Sequence, residues 1–465
     1  MYFWDSIQDY GDRVCFIDRN GTHSYASVVR DADVVASRVG SRSLCCILCS
    51  NTISSLIGYI GCLRARTVPI LISSTVPESV ISQFVSLYHP SFIWSPSDFS
   101  HASDPLVTLG TYSLKKTGFS NANIHKELAL LLSTSGSTGS SKMVRISYNN
   151  IDNNARSIVD YLSINKNDRA ITTMPMNYTF GLSIIHTHLM AGASSILSSS
   201  SVVSPDFWKT VHDYAPTSIS GVPFIFETLE KLGIRKMKIP SLRTMTQAGG
   251  RMNPETVKKF GLYCKEMGIN FFVMYGQTEA TARMSYVPSH LVLEKASSVG
   301  IPIPGGKFSI VDGNGCAVQG NYANGELVYE GKNVSLGYAS GFEDLVKGDE
   351  NRGRLITGDI AYRDEDGFYY IVGRKKRFLK VFGHRVGMDE LEKKLQEMGI
   401  DAAVSGSDDN VVIYTICSCN EREIADKISR NTGINASAFR FVKIPEFPRD
   451  DRGKLIYDRL GRDVV

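Results

Sequence analysis

Little in the amino-acid composition points to a polymer partner: 51 basic against 47 acidic residues leave a formal charge of +4 over 465 residues. So weak a surplus gives no electrostatic footprint for nucleic acid or for an anionic membrane surface. Disulfide scaffolding is missing too, because the nine cysteines are an odd number without two spaced pairs, which argues against a secreted disulfide frame and a zinc ribbon. The one C-x-x-C, Cys46 and Cys49, lies in an apolar run and reads as a buried strand of small hydrophobes, not a redox pair. Residues 43–63 carry no charge, but Ser50, Asn51, Thr52, Ser54 and Ser55 break their middle. That predicts a strand, a turn and a helix, with no stable membrane insertion. Met1-Tyr-Phe-Trp-Asp has neither a basic start nor a long apolar core, so a cytoplasmic location is expected. No internal repeat of the solenoid or propeller kind is present.

What is there is the composition of a folded soluble chain, 43% hydrophobic and 21% charged. At 465 residues it is long enough for more than one lobe, since a domain averages roughly 150. Short apolar runs, Leu44–Cys49, Val68–Ile72, Phe92–Trp94, Leu128–Leu132, Ala170–Thr173, Ser218–Val222, Leu242–Gln247 and Phe271–Met274, alternate with longer mixed segments. Strands separated by helices, an α/β arrangement, are the expectation. From about Gly305 the turn signals Asp312-Gly313, Asn324-Gly325 and Asp366-Gly367 predict a smaller, more antiparallel piece. After Gly373 the basic stretch Arg374-Lys375-Lys376-Arg377 leads into a final domain with one amphipathic helix near 389–398 and two or three strands.

Four segments carry chemistry. The first, Thr134-Ser135-Gly136-Ser137-Thr138-Gly139-Ser140-Ser141-Lys142, directly follows an apolar strand. Small residues let backbone N–H groups close round an anion, hydroxyls add donors, and Lys142 adds charge, so it reads as a polyphosphate loop. It is not G-x-x-x-x-G-K-[ST], because Ser141 precedes the lysine and Met143 follows it. The second, Tyr275-Gly276-Gln277-Thr278-Glu279, delivers a ring, a turn glycine, a hydroxyl and a carboxylate, which suits a nucleotide bound with Mg²⁺. The third sets Asp359, an acceptor for neighbouring ribose hydroxyls, ahead of Arg374, a fork of donors. The fourth ends in Gly453-Lys454.

In this order and spacing the segments resemble the adenylate-forming superfamily of acyl- and aryl-CoA synthetases, peptide-synthetase adenylation domains and luciferase. The resemblance implies a large N-terminal domain, residues 1–374, of two sheet-and-helix subdomains plus a small barrel-like one. A small mobile α+β lid, residues 375–465, would follow, hinged near Lys376. By the same resemblance, the loop from Thr134 through Ser135, Gly136, Ser137, Thr138 and Gly139 to Lys142 would hold the ATP β- and γ-phosphates. Gly249 and Gly250 would lie along the adenine, Tyr275 with Gly276 would cover its other face, and Thr278 would touch the α-phosphate. Glu279 would ligate Mg²⁺, Asp359 and Arg374 would hold the ribose, and Lys454 would bridge the attacking carboxylate and the α-phosphoryl oxygens. A lid swing would then remove Lys454 and bring Gly383 beside the thiol of CoA or of phosphopantetheine.

The implied activity is ATP-dependent activation of a small carboxylic acid to an acyl-adenylate, followed by transfer. Tyr178 and Thr179 match the family's pocket-gating motif, and Gly192 and Gly221 would line the acyl pocket. Amino-acid activators carry an aspartate at the position of Thr179, and a buried ammonium without a carboxylate is costly. A neutral acyl acid is therefore favoured over an α-amino acid. The acceptor stays open between CoA, an acyl carrier protein and an amine. A non-catalytic nucleotide-binding relative is the alternative of another class, and the retained Lys454, Glu279 and loop glycines count against it.

Overall fold

Apolar runs rich in branched residues become strands where both faces are covered, and Leu44–Cys49 is buried at every position. Its side chains alternate: Cys45, Ile47 and Cys49 face one core, while Leu44, Cys46 and Leu48 face another. Cys46 and Cys49 therefore point to opposite faces of one strand, which rules out a redox pair. In this computed structural model each of the expected strands is present, the last as Asn270–Tyr275. The residues described are 1–99, 103–120, 123–133, 142–375, 377–381, 384–407, 409–417, 420–432, 434–450, 453 and 455–460.

The chain divides into two units, Met1–Lys307 with Tyr329–Leu355, and Phe308–Val328 with Ile356–Val465. Two large sheets build the first unit. In the nine-stranded sheet, Asn270–Tyr275, Thr244–Gln247, Ser218–Gly221, Arg169–Ile171, Ser194–Ile196 and Val14–Asp18 are successive parallel neighbours. The eight-stranded sheet places Leu44–Cys49 between Val68–Ser73 and Phe92–Pro96. Helices Tyr25–Ala36, Ile53–Ala65, Tyr148–Leu162 and Thr179–Ala191 share one apolar core with strands of both sheets. Thr179–Ala191 is buried at every position from Thr179 to Leu189, as a helix enclosed on every side is.

Most of a four-stranded sheet, Gly306–Val311, Gly325–Gly331, Arg354–Arg363 and Tyr369–Arg374, falls in the second unit. Its hairpin turns at Asp366-Gly367, as the turn signal predicts, and Asp364 accepts from the Phe368 N–H at 2.8 Å. The C-terminal region is richer than expected. It holds the hairpin Phe378–Val381 with His384–Gly387, a three-stranded sheet of Ala402–Ser407, Asn410–Thr415 and Phe439–Lys443, and two helices, Met388–Glu397 and Glu421–Thr432. The second helix escapes sequence reading because its buried face is only Ile424, Ala425 and Ile428 in an otherwise polar segment. Among the described residues no helix is long and apolar enough to cross a membrane.

Helix Thr179–Ala191 buries two histidines. His186 shares a 2.7 Å hydrogen bond with Tyr59 Oη, and burial pushes its pKa from 6.5 down to about 3. Burial also pushes His188 down, against its contact with the Ile184 carbonyl. The unfolded chain thus takes up these protons first, so stability rises with pH, is complete above 6.5 and is lost toward 3. His186→Gln should flatten the acid limb of urea-melt stability by about 1.4 kcal/mol per pH unit. An unchanged slope would contradict the neutral buried imidazole.

Candidate functional site

Three parallel strands end side by side, with Gly221 opposite Gln247 and Gln247 opposite Val273. Crevices beyond the carboxyl ends of such strands are where open α/β sheets take ligands. After Gln247 the chain turns through Gly249 at φ +81°, where an added Cβ would stand 2.4 Å from Tyr178 Oη and 2.9 Å from Val222 Cγ1. Tyr178, Gly249 and the segment after Gly221 are therefore brought together. The buried Gln247 holds this loop by donating its side-chain amide to the Gly250 carbonyl at 2.8 Å.

Beyond Tyr275 the chain folds back on itself so tightly that a Cβ on Gly276 would lie 1.8 Å from the Ala282 carbonyl oxygen. This turn presents Thr278, which is buried, and Glu279. Tyr338 Oη donates to Glu279 Oε1 at 2.7 Å, while the carboxylate's other oxygen has no protein partner among the described residues. Burial, and then the Glu279 charge, raise the Tyr338 pKa, so its hydroxyl stays protonated and keeps donating. Lys142 Nζ sits 3.7 Å from the Tyr338 ring centroid, a cation–π contact. The cause is register: Tyr338 pairs with Val144 across antiparallel strands, just after Lys142.

The same turn is pinned from behind. Asn333 is buried and donates to the carbonyls of Ala280 at 2.9 Å and Arg283 at 3.0 Å. It accepts from Tyr329 Oη at 2.8 Å, and its own carbonyl takes the Thr281 hydroxyl at 2.6 Å. Among the described residues no group of three or more His, Cys, Asp or Glu could hold a metal ion. Glu279 alone with an open oxygen still fits Mg²⁺, which usually takes one or two carboxylates and completes its shell with water and substrate phosphates.

Thr179 opens helix Thr179–Ala191 and is buried. With Asn154, Ser183, His186 and Thr281 it lines an enclosed cavity of about 10 Å³, room for about one water. Arg283 reaches the same helix, donating Nη2 to Ser183 Oγ at 3.0 Å and lying 4.3 Å over the Phe180 ring. Gly192 does not belong with these residues. It is the left-handed cap at the far end of the helix, packed on the Tyr10 ring, about 20 Å from Thr179 at 1.5 Å per residue.

In the second unit Asp359 and Arg374 are cross-strand partners, and Arg374 Nε lies 3.2 Å from Asp359 Oδ1. Asp359 is buried and Arg374 exposed. The following basic residues are neutralised, Lys375 by Glu326 and Arg377 by Asp389 and Glu392, which suits a structural role better than a polyanion patch. Thr134, Ser135, Gly136, Ser137, Thr138, Gly139, Lys376, Gly383 and Lys454 lie outside the described residues. Tyr338, Asn333 and Arg283 are what the sequence reading missed. Arg283 alone left a signal, a charge in the otherwise uncharged run Ala280–Val287.

A family model described as AMP-binding enzyme matches residues 3–339. The peroxisomal OPC-8:0-CoA ligase 1 of Arabidopsis thaliana is 28% identical over 355 residues, 73% of this chain and 64% of that protein. The 4-coumarate–CoA ligase-like 8 of the same plant is 26% identical over 99% of this chain and 90% of its own length. A 2-succinylbenzoate–CoA ligase of Bacillus cereus is 30% identical over 61% of this chain and 58% of its own. The matches to the first and third thus span under two thirds of those relatives. Among solved structures, o-succinylbenzoate CoA synthetase (MenE) from Bacillus subtilis in complex with the acyl-adenylate intermediate OSB-AMP superposes with a TM-score of 0.81 at 20% identity, covering 99% of this chain and 98% of its own. ATP-bound MatB from Rhodopseudomonas palustris gives 0.78 at 18%, with 98% of each chain covered. These likenesses show the fold: a large N-terminal and a small C-terminal domain.

Gly249→Ala should cost on the order of 3 kcal/mol, from left-handed backbone strain plus the Tyr178 clash. In a Tyr178→Phe background the cost should fall by about 1 kcal/mol, because the clashing hydroxyl is gone. Additive effects in denaturant melts would contradict the Tyr178–Gly249 contact.

Proposed function

Because the chain belongs to the AMP-binding enzyme family, we propose that it is an AMP-forming acid–thiol ligase that makes an acyl-adenylate and passes the acyl group to CoA. The observation that carries the reading is the trio Lys142, Tyr338 and Glu279. It sets a cation and a half-open carboxylate beside the Tyr275 turn, at the carboxyl end of the central strands.

In the first half reaction a carboxylate oxygen attacks the α-phosphorus of ATP, the bond to the β-phosphate breaks, and pyrophosphate leaves. No covalent enzyme intermediate is required, so positioning and charge neutralisation supply the catalysis. Lys142 and the loop Thr134–Gly139 would take the β- and γ-phosphates, Thr278 the α-phosphate, and Tyr275 with Gly249 and Gly250 the adenine. Tyr338 orients Glu279 by occupying one carboxylate oxygen and leaving the other to a metal. Mg²⁺, held by Glu279 and the phosphates, would neutralise charge on the triphosphate. Asp359 and Arg374 would trade part of their mutual pairing for ribose hydroxyls.

In the second half reaction the thiolate attacks the acyl carbon and AMP leaves. A lid comprising residues 375–465, hinged near Lys376, would withdraw Lys454 and present Gly383 to the pantetheine arm. CoA is favoured as acceptor because the relatives described above are named as CoA ligases. Carrier-protein phosphopantetheine or an amine would change the partner and leave the first step intact. A cytoplasmic site of action completes the proposal.

Acid-dependent exchange of labelled pyrophosphate into ATP tests the first step with no knowledge of the acceptor. Exchange with one class of acid is expected, and no exchange with any acid, in protein that binds ATP, would contradict the reading. Lys454→Ala should lose about 10²- to 10³-fold in exchange while thiolysis of supplied acyl-adenylate survives. Equal loss in both half reactions would exclude the lid.

A further inference from the structure

Arg283 is 2% exposed. Its Nη2 donates to Ser183 Oγ at 3.0 Å, and its Nη1 meets Met274 Sδ at 3.0 Å and Tyr161 Oη at 3.4 Å. The guanidinium stacks over Phe180, and its Nε has no partner among the described residues. No carboxylate among them pairs with it either. A guanidinium is always charged, and burying one without an anion is costly; a hydroxyl, a thioether and a ring compensate it only in part.

The chain handles another deeply buried arginine differently. Arg145, fully enclosed, is paired with Glu350 and donates to the carbonyls of Tyr338, Leu336 and Lys347. Arg283 departs from that pattern at a telling place. Phe180 and Ser183 follow Thr179 on the helix assigned to the acid, and Ser183 lies one turn, about 6 Å, beyond Thr179 on the same face. Asn154 donates to the Arg283 carbonyl at 3.0 Å, and its side-chain Oδ1 is also without a partner among the described residues.

We propose that Arg283 receives a second carboxylate of the substrate, so that the acid is a dicarboxylic acid activated at one end and read at the other. The proposal rests on the ligase reading and replaces the neutral acyl group expected from the sequence. Nε and Nη2 form the side-on fork that carboxylates prefer, while the Ser183 hydroxyl, which donates to the Phe180 carbonyl at 2.7 Å, holds Nη2 in place as its acceptor. Arg283 sets specificity, and the reacting carboxylate and its adenylation are unchanged.

The test is pyrophosphate exchange with length-matched sets of monocarboxylic, ω-hydroxy and dicarboxylic acids, on wild type, Arg283→Met and Arg283→Lys. Wild type should favour the diacid by about 10- to 100-fold in kcat/KM, carried by KM. Arg283→Met should abolish that preference, bringing diacid and monoacid to the same kcat/KM, and Arg283→Lys should retain part of it. Calorimetric binding of the same acids, which needs no turnover, decides the point even if the exchange reaction fails, so loss of the ligase reading is told apart from loss of this one. Equal use of monoacids and diacids, ω-hydroxy acids matching diacids, or a proportional loss on every acid in Arg283→Met would each overturn the proposal. Should Arg283→Met not fold, the wild-type ranking and Arg283→Lys carry the decision.

Discussion

The amide of Asn333 holds the candidate site together. Its two donors close the carbonyls of Ala280 and Arg283, and its oxygen is fixed in turn by Tyr329. Buried carbonyls left without donors cost about 1–3 kcal/mol each, so this clamp, joined at the Arg283 carbonyl by Asn154, stabilises the folded-back form of the turn after Tyr275. From one side of the turn Glu279 projects toward Tyr338 and Lys142; from the other Arg283 projects toward helix Thr179–Ala191. One clamped turn thus links the nucleotide end and the acid end of the proposed reaction.

Charge placement follows the same economy. Lys142 lies over the Tyr338 ring, and Glu279 meets a hydroxyl, a contact that orients its charge without neutralising it. Lys375 and Arg377 are treated in the opposite way, paired to Glu326, Asp389 and Glu392. Glu279 is held by a neutral hydroxyl, whereas Lys375 and Arg377, on either side of the proposed hinge, are held by opposite charges. Asp359 and Arg374 combine both features, one buried and one exposed across a hairpin.

Much of the fold was legible because strand runs such as Leu44–Cys49 are apolar at every position and fix their own two-faced burial. The Tyr275 turn and the Gly249 bend were legible for a related reason: each needs a residue type that few other positions need. What stayed hidden depends on pairing between distant segments. Tyr338 reaches Glu279 only because its strand docks beside Met143–Ser147, and Asn333 is an ordinary polar residue until the turn folds over it. Gly192 misled because a helix-capping glycine and a pocket-lining glycine look alike in a sequence. Helix Glu421–Thr432 was missed because three apolar side chains suffice where a small sheet supplies the rest of the core.

Oxygen transfer tests the central claim most directly. With an acid that supports exchange, labelled with ¹⁸O in its carboxylate, complete turnover with CoA should leave one labelled oxygen in the phosphate of AMP, because that oxygen bonds to the α-phosphorus and departs when the thiol takes the acyl group. Label appearing in inorganic phosphate beside ADP, or no label in AMP, would contradict an acyl-adenylate formed at this site.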